Sequence, residues 1–173
     1  MTTGLILAGG KSSRFLTGDK ALYFDIQYHK TWLAVIVEKL QQLPLDHILI
    51  SVSADNKEKI AMLFPNIQLI EDPPDFQQQG PLAGILSAAK IDNELLITSV
   101  DYPEISVSSY QKILSADNAY ARDTFTLSHL NFSTDRLEAF LAAGNRRVKD
   151  FLAEIAAQPV NLPATELINH NEK

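Results

Sequence analysis

Short apolar runs alternate with segments of helical spacing along this chain, and that alternation limits the folds open to it. Residues 3–7, 47–52, 67–70 and 95–99 read as strands. Residues 31–43, 56–63, 81–90 and 107–115 read as helices. Within 31–43, Leu33, Ile36, Val37 and Leu40 recur at helical spacing. Pro81 after Gly80 suits a helix start, where a missing N–H costs nothing. Strands that alternate with helices pair in parallel, with helices covering both faces. The expectation is an α/β fold of three layers on a mostly parallel, Rossmann-like sheet. Such sheets bind ligands beyond the carboxyl ends of their strands. Gly9, Gly10 and Asp101 each follow a predicted strand, so they should share one edge. The second half is less regular. Residues 126–132 read as a strand, and 134–143 and 146–156 as helices separated by Gly144. Residues 158–173 carry little pattern.

The first strand runs into L-A-G-G-K-S-S-R at residues 7–14, and Asp19-Lys20 follow. Paired glycines at a strand end expose N–H groups that can close on phosphate oxygens. Lys11, Arg14 and Lys20 would bring cations to the same place, a concentration that suits a triphosphate. For the glycines alone, a plain turn is the alternative. Spacing argues against two familiar phosphate loops. A Walker A loop needs a glycine five positions before the glycine of Gly10-Lys11-Ser12, where Leu5 stands. A dinucleotide fingerprint needs G-x-G-x-x-G, and Gly9-Gly10 lack the third glycine. Asp101, between residues 95–99 and Tyr102-Pro103, is placed to hold Mg²⁺ on a nucleotide's phosphates, or to cap a turn.

Composition narrows the partners. A chain of 173 residues that is 46% apolar has enough material for one core. A net charge of -6 argues against a general nucleic-acid binder, which carries a basic face. The chain has no cysteine, so thiolate metal sites and thiol nucleophiles are excluded. No apolar run approaches the roughly 18 residues of a membrane span, and the N-terminus lacks a signal-peptide pattern. No membrane partner is expected.

Together with Q-G-P-L-A-G-I at 79–85, V-D-Y-P at 100–103 and G-N-R-R-V-K-D-F-L at 144–152, the loop resembles that of the molybdenum cofactor guanylyltransferases. The resemblance runs from residue 3 to about residue 171. It implies one nucleotidyltransferase domain over residues 1–173, with the N-terminal half binding GTP and the C-terminal half the acceptor. The implied reaction transfers GMP from GTP to molybdopterin or Mo-molybdopterin, releasing pyrophosphate. It implies Mg²⁺ as cofactor, a cytoplasmic location and contact with cofactor-delivery proteins. By position it assigns Lys20, Asp101 and Arg14 to catalysis. Binding falls to Leu7, Ala8, Gly9, Gly10, Lys20, Ser51, Asp72, Gly80, Asp101 and Arg147, and metal binding to Asp101 and Asn169.

Plainer roles stand beside several of these. Asp72, before two prolines, is equally a turn former. Gly84 could serve tight helix packing. Arg146, Arg147 and Lys149 form a solvated helix face or a contact for the acceptor's phosphate. The four histidines have no ligand spacing and read as structural or surface residues. The chain also departs from the family pattern. Phe15-Leu16 replace Met-Gly, Ser51 replaces an asparagine that helps bind the base, and a glycine is replaced near His29. A His-Pro element is missing around Asp123-Thr124, and the chain stops at Lys173 before a final helix. These departures keep two other readings open. One is a nucleotidyltransferase of the same fold using CTP or a sugar phosphate. The other is a nucleotide-binding paralogue without turnover.

Overall fold

The computed structural model describes residues 1–10 and 19–170, and the expected alternation is present in it. Strand β1 (Thr3–Leu7) precedes a small hairpin of β2 (Phe24–Asp25) and β3 (Lys30–Thr31). Helix α1 (Trp32–Leu40) and strand β4 (His47–Ser51) follow. Helix α2 (Lys57–Leu63), strand β5 (Gln68–Ile70), helix α3 (Pro81–Ala89) and strand β6 (Glu94–Ser99) continue the pattern. The second half contributes α4 (Val107–Leu114), β7 (Ala119–Ala121), β8 (Thr124–Asn131), α5 (Thr134–Ala142), α6 (Val148–Glu154) and β9 (Gln158–Val160).

One seven-stranded sheet runs β5-β4-β1-β6-β8-β7-β9. β1 pairs parallel with β4 and β6, and β4 pairs parallel with β5. β8 lies antiparallel to β6 and β7, while β7 and β9 are parallel. Within this sheet only β8 runs against the rest. The chain therefore adopts the mostly parallel, three-layer α/β fold.

Side chains alternate faces along each strand. Leu5, Leu49, Leu95 and Ile97 pack into the layer that holds α3, α5 and α6. Ile6, Ile50 and Leu96 pack with residues of α1, α2 and α4 on the other side. Burial on both faces explains why the middle of each of these strands is a run of consecutive apolar residues. Caps place the helices. The Thr31 hydroxyl accepts the Ala34 N–H at 3.1 Å, so α1 begins after Thr31.

The structure differs from the sequence expectation at the short elements. β2, β3, β7 and β9 are two or three residues long and left no periodic signal. Helix α6 begins at Val148, with Arg147 extended before it. The Arg146 guanidinium instead turns back to donate to the carbonyls of Leu141 and Asn145. β9 forms one outer edge of the sheet. Its Gln158 N–H donates to Asn118 and its Val160 carbonyl accepts from Arg122, so the intervening Pro159 nitrogen faces away from β7.

Candidate active site

Register decides where the chemistry gathers. Leu7 pairs with Ser51 on one side and Ser99 on the other, and Ser51 pairs with Ile70. Four parallel strands thus end on one line. The segments that leave them, Ala8-Gly9-Gly10, Val52-Ser53, Glu71-Asp72 and Val100-Asp101, line a cleft of about 520 Å³. Gly80, Pro81 and Gly84 at the start of α3 form another wall, and Thr126 of β8 reaches the cleft from the second half. The shared edge expected for Gly9, Gly10 and Asp101 is present.

Lys20 and Asp101 meet in this cleft. Lys20 Nζ donates to Asp101 Oδ1 at 2.8 Å, with the two side chains 14% and 25% exposed. Asp101 is aimed by its own turn: the Ser99 hydroxyl donates to Oδ2 at 3.1 Å and accepts the Asp101 N–H at 3.3 Å. Ser99, last residue of β6, is a contributor that the sequence patterns did not single out.

A second missed residue is Asn56, whose exposure is 1%. Its Nδ2 donates to the Ala8 carbonyl at 2.8 Å and to Asp19 Oδ2 at 2.9 Å. Its Oδ1 accepts the Ser53 N–H at 2.9 Å. The other Asp19 oxygen accepts the Ala21 N–H at 2.9 Å, which starts the 3-10 turn Lys20–Leu22.

Glycine is required here for specific reasons. A Cβ on Gly9 would lie 3.0 Å from the carbonyl carbon and 3.1 Å from the carbonyl oxygen of Val52. Gly9 therefore lets the two strand exits touch. Among the described residues nothing lies within 4 Å of a Cβ placed on Gly10. Gly80 has φ +83°, a conformation that favours glycine, and it turns the chain into α3. A Cβ on Gly84 would come within 2.5 Å of the Ser51 hydroxyl. Gly84 thus packs tightly against buried Ser51, as its plainer reading anticipated. Asp72 is partly buried and accepts the Gln78 N–H at 3.1 Å. Burial pushes its carboxyl above the ordinary value, opposed by the Gln78 N–H and assisted by neighbouring Glu71.

The remaining expected residues lie elsewhere. Lys11 and Arg14, together with Phe15-Leu16, are outside the described residues. Arg147 is exposed at the start of α6 and is not among the residues lining the cleft. The Arg146 carbonyl lies 3.8 Å from a Cβ placed on Gly80, so this loop borders the α3 wall. Lys149 sits 5.7 Å from the centre of the Phe125 ring. Asn169 Nδ2 donates to the Tyr102 hydroxyl at 3.1 Å, one residue from Asp101, without lining the cleft itself. The histidine reading holds at His129, whose ring contacts the Ala116 carbonyl and Glu94. It holds also at His170, whose ring contacts Glu104 and packs against Trp32.

Comparison with known proteins agrees with this geometry. Residues 4–160 match the family model described as a MobA-like NTP transferase domain. A molybdenum cofactor guanylyltransferase of Haemophilus influenzae is 30% identical over 166 residues, covering 88% of this chain and 82% of that protein. One from Burkholderia cenocepacia is 29% identical over 171 residues, covering 87% and 80%. Among solved structures, molybdopterin-guanine dinucleotide biosynthesis protein A from Archaeoglobus fulgidus superposes with a TM-score of 0.68. It is 17% identical, and the match covers 95% of this chain and 85% of that one. A 4-diphosphocytidyl-2C-methyl-D-erythritol synthase from Anaerococcus prevotii shares the fold at a TM-score of 0.69 and 11% identity, covering 98% and 90%. The strand ends, the paired glycines and the match across residues 4–160 agree: this chain belongs to the MobA-like NTP transferase family.

Proposed function

We propose that the protein transfers GMP from GTP to molybdopterin or Mo-molybdopterin, forming the guanine dinucleotide and releasing pyrophosphate. The observation that carries this reading is the placement of Lys20 and Asp101, in contact, beside Gly9 and Gly10 in the cleft of a chain from this family. In the proposed reaction a terminal phosphate oxygen of the acceptor attacks the α-phosphorus of GTP. The bond from that phosphorus to the bridging oxygen breaks, and pyrophosphate leaves with the electron pair. The nucleophile is already an anion, so no strong general base is needed. The work left to the protein is alignment and charge neutralisation.

The donor set suits Mg²⁺, which favours oxygen ligands and uses one or two carboxylates plus substrate phosphates. Asp101 offers such a carboxylate at the cleft, with Asp19 also lining it. Among the described residues no cluster of three or more His, Cys, Asp or Glu surrounds one point. A site completed by substrate phosphates fits this arrangement, with Asp101 as the protein's ligand and Asn169 assisting it. Bound there, Mg²⁺ would supply Lewis acidity and charge neutralisation at the phosphate oxygens. Lys20 would hold the triphosphate, aided by Arg14. Gly9 and Gly10 let backbone approach the nucleotide at Leu7-Ala8, while Ser51, Asp72 and Gly80 lie on the side proposed for guanine. The C-terminal half, with Arg147, would take the acceptor, so that residues 1–173 work as one nucleotidyltransferase domain. No described helix is long and apolar enough to cross a membrane. We place the reaction in the cytoplasm, with the acceptor handed over by cofactor-delivery proteins.

Ser51 makes base choice the point to test. GTP, ATP, CTP and UTP would each be titrated calorimetrically with and without Mg²⁺, and pyrophosphate release measured with molybdopterin as acceptor. GTP with Mg²⁺ is expected to bind most tightly and to give acceptor-dependent pyrophosphate. Preference for CTP would overturn the guanylyl reading. Tight GTP binding without turnover would favour a non-catalytic paralogue.

A further inference from the structure

Asn56 stands at the N-cap position of α2, where an asparagine side chain ordinarily accepts an N–H from its own helix. Here it makes no such bond. The side chain is spent on three other segments, and it is almost fully buried. Both Nδ2 hydrogens and one Oδ1 lone pair are used. One partner, the Ala8 carbonyl, immediately precedes Gly9-Gly10. Another, Asp19, immediately precedes Lys20. One side chain therefore ties Ala8 to Asp19. Ser53, the third partner, is on the strand exit that Gly9 touches.

We infer that Asn56 is a positioning residue for the proposed nucleotide site: it holds Ala8 and Asp19 together and, through Asp19, fixes the place from which Lys20 acts. The inference rests on the proposed use of this cleft for a nucleoside triphosphate. Its chemistry is specific to an amide. Asp19 and the Ala8 carbonyl need donors, while the Ser53 N–H needs an acceptor. Only a side chain carrying both, at this length, serves all three. Removing the donor leaves the buried Ala8 carbonyl and the partly buried Asp19 carboxylate without it, which is costly. A carboxylate at position 56 would also face that of Asp19 across a hydrogen-bond distance, and like charges that close repel.

The test combines variants with two readouts. Asn56→Asp should weaken calorimetric binding of GTP with Mg²⁺ roughly tenfold or more, the loss expected when charge-assisted hydrogen bonds are broken. The same variant should raise the GTP KM while the acceptor KM stays near the wild-type value. The double variant Asn56→Asp with Asp19→Asn returns a donor and an acceptor to the 19–56 contact at unchanged total charge. It should recover part of the lost affinity. Ile60→Val, a buried change in the same helix, gauges simple destabilisation. It should lower Tm and leave GTP affinity alone. If Asn56→Asp does not fold, Asn56→Ser, too short to bridge the three segments, is measured instead with the same expectation. A folded Asn56 variant that binds GTP as the wild type does, or an equal loss in Ile60→Val, overturns the positioning role. A wild-type protein that binds no nucleoside triphosphate overturns the proposed function, and this inference with it.

Discussion

Lys20 and Asp101 form an ion pair that is mostly shielded from solvent, so the cost of desolvating both charges offsets much of their attraction and the pair adds little net stability. In the proposed reaction the value of Asp101 lies in its charge at the cleft. Asp101→Asn keeps the shape and removes that charge. It should leave Tm within a few degrees of wild type while kcat falls on the order of 10²- to 10³-fold. Pyrophosphate release beside a thermal melt separates the two, and an unchanged kcat in the folded variant would reject the role. The adjacent glycines offer a contrast. An alanine at Gly9 would press its methyl against the backbone of Val52 and Ser53, which cannot rotate away. Overpacking of this kind costs about 1–3 kcal/mol, or roughly 2–12 °C in Tm for a chain of this size. Among the described residues an alanine at Gly10 meets nothing within 4 Å. Gly10→Ala should melt like the wild type, and any effect it has should show only in GTP binding. Equal Tm losses from the two would contradict the packing difference.

Among elements, the segment 164–170 gives the active edge a support from outside the sheet. Glu166 Oε1 accepts the Ser106 N–H at 2.6 Å and the Ser109 hydroxyl at 2.9 Å, at the start of α4. Further along, the His170 N–H donates to the Asp101 carbonyl at 3.4 Å. Burial pushes the Glu166 carboxyl upward. The hydrogen bonds from Ser106 and Ser109 and the charge of Lys39 outweigh it, so its pKa lies below the ordinary 4.5. A carboxyl with a lowered folded pKa adds stability above its unfolded pKa and loses it as pH falls through the folded value. Glu166→Gln should therefore melt below the wild type at neutral pH, with the gap closing as pH drops below the ordinary carboxylate range. Thermal melts of both proteins from pH 7 to pH 3 check this, and a gap that stays constant would remove charge as its cause.

Across the whole molecule, what was legible in the sequence was what repeats. Runs buried on both faces, such as 95–97, show as apolar strings, and the segments that follow them point to the proposed binding edge. Asp101 was legible because it sits in such a following segment. β7 and β9, three residues each, are too short for any period to show, and their place in the sheet is set by tertiary pairing. Asn56 was illegible for another reason. Its partners Ala8 and Asp19 lie 48 and 37 positions away, and nothing near it in sequence marks it apart from an ordinary helix cap. Arg146 and Arg147 look alike in the chain. The fold turns one back onto the carbonyls of Leu141 and Asn145 and leaves the other exposed.

The proline in β9 bears on how copies of this protein behave in company. An open sheet invites further chains to add strands to its margins, a route to aggregation. Here both margins, β5 and β9, are only three residues long, and on β9 the outward position that would offer an N–H is Pro159. A stranger's strand finds almost nothing to bond to. Pro159→Thr would restore that donor without disturbing the inward bonds of Gln158 and Val160. Light scattering of concentrated samples should show this variant self-associating at lower concentration than the wild type, with circular dichroism unchanged. Equal solubility would place the protection in the shortness of the margins alone.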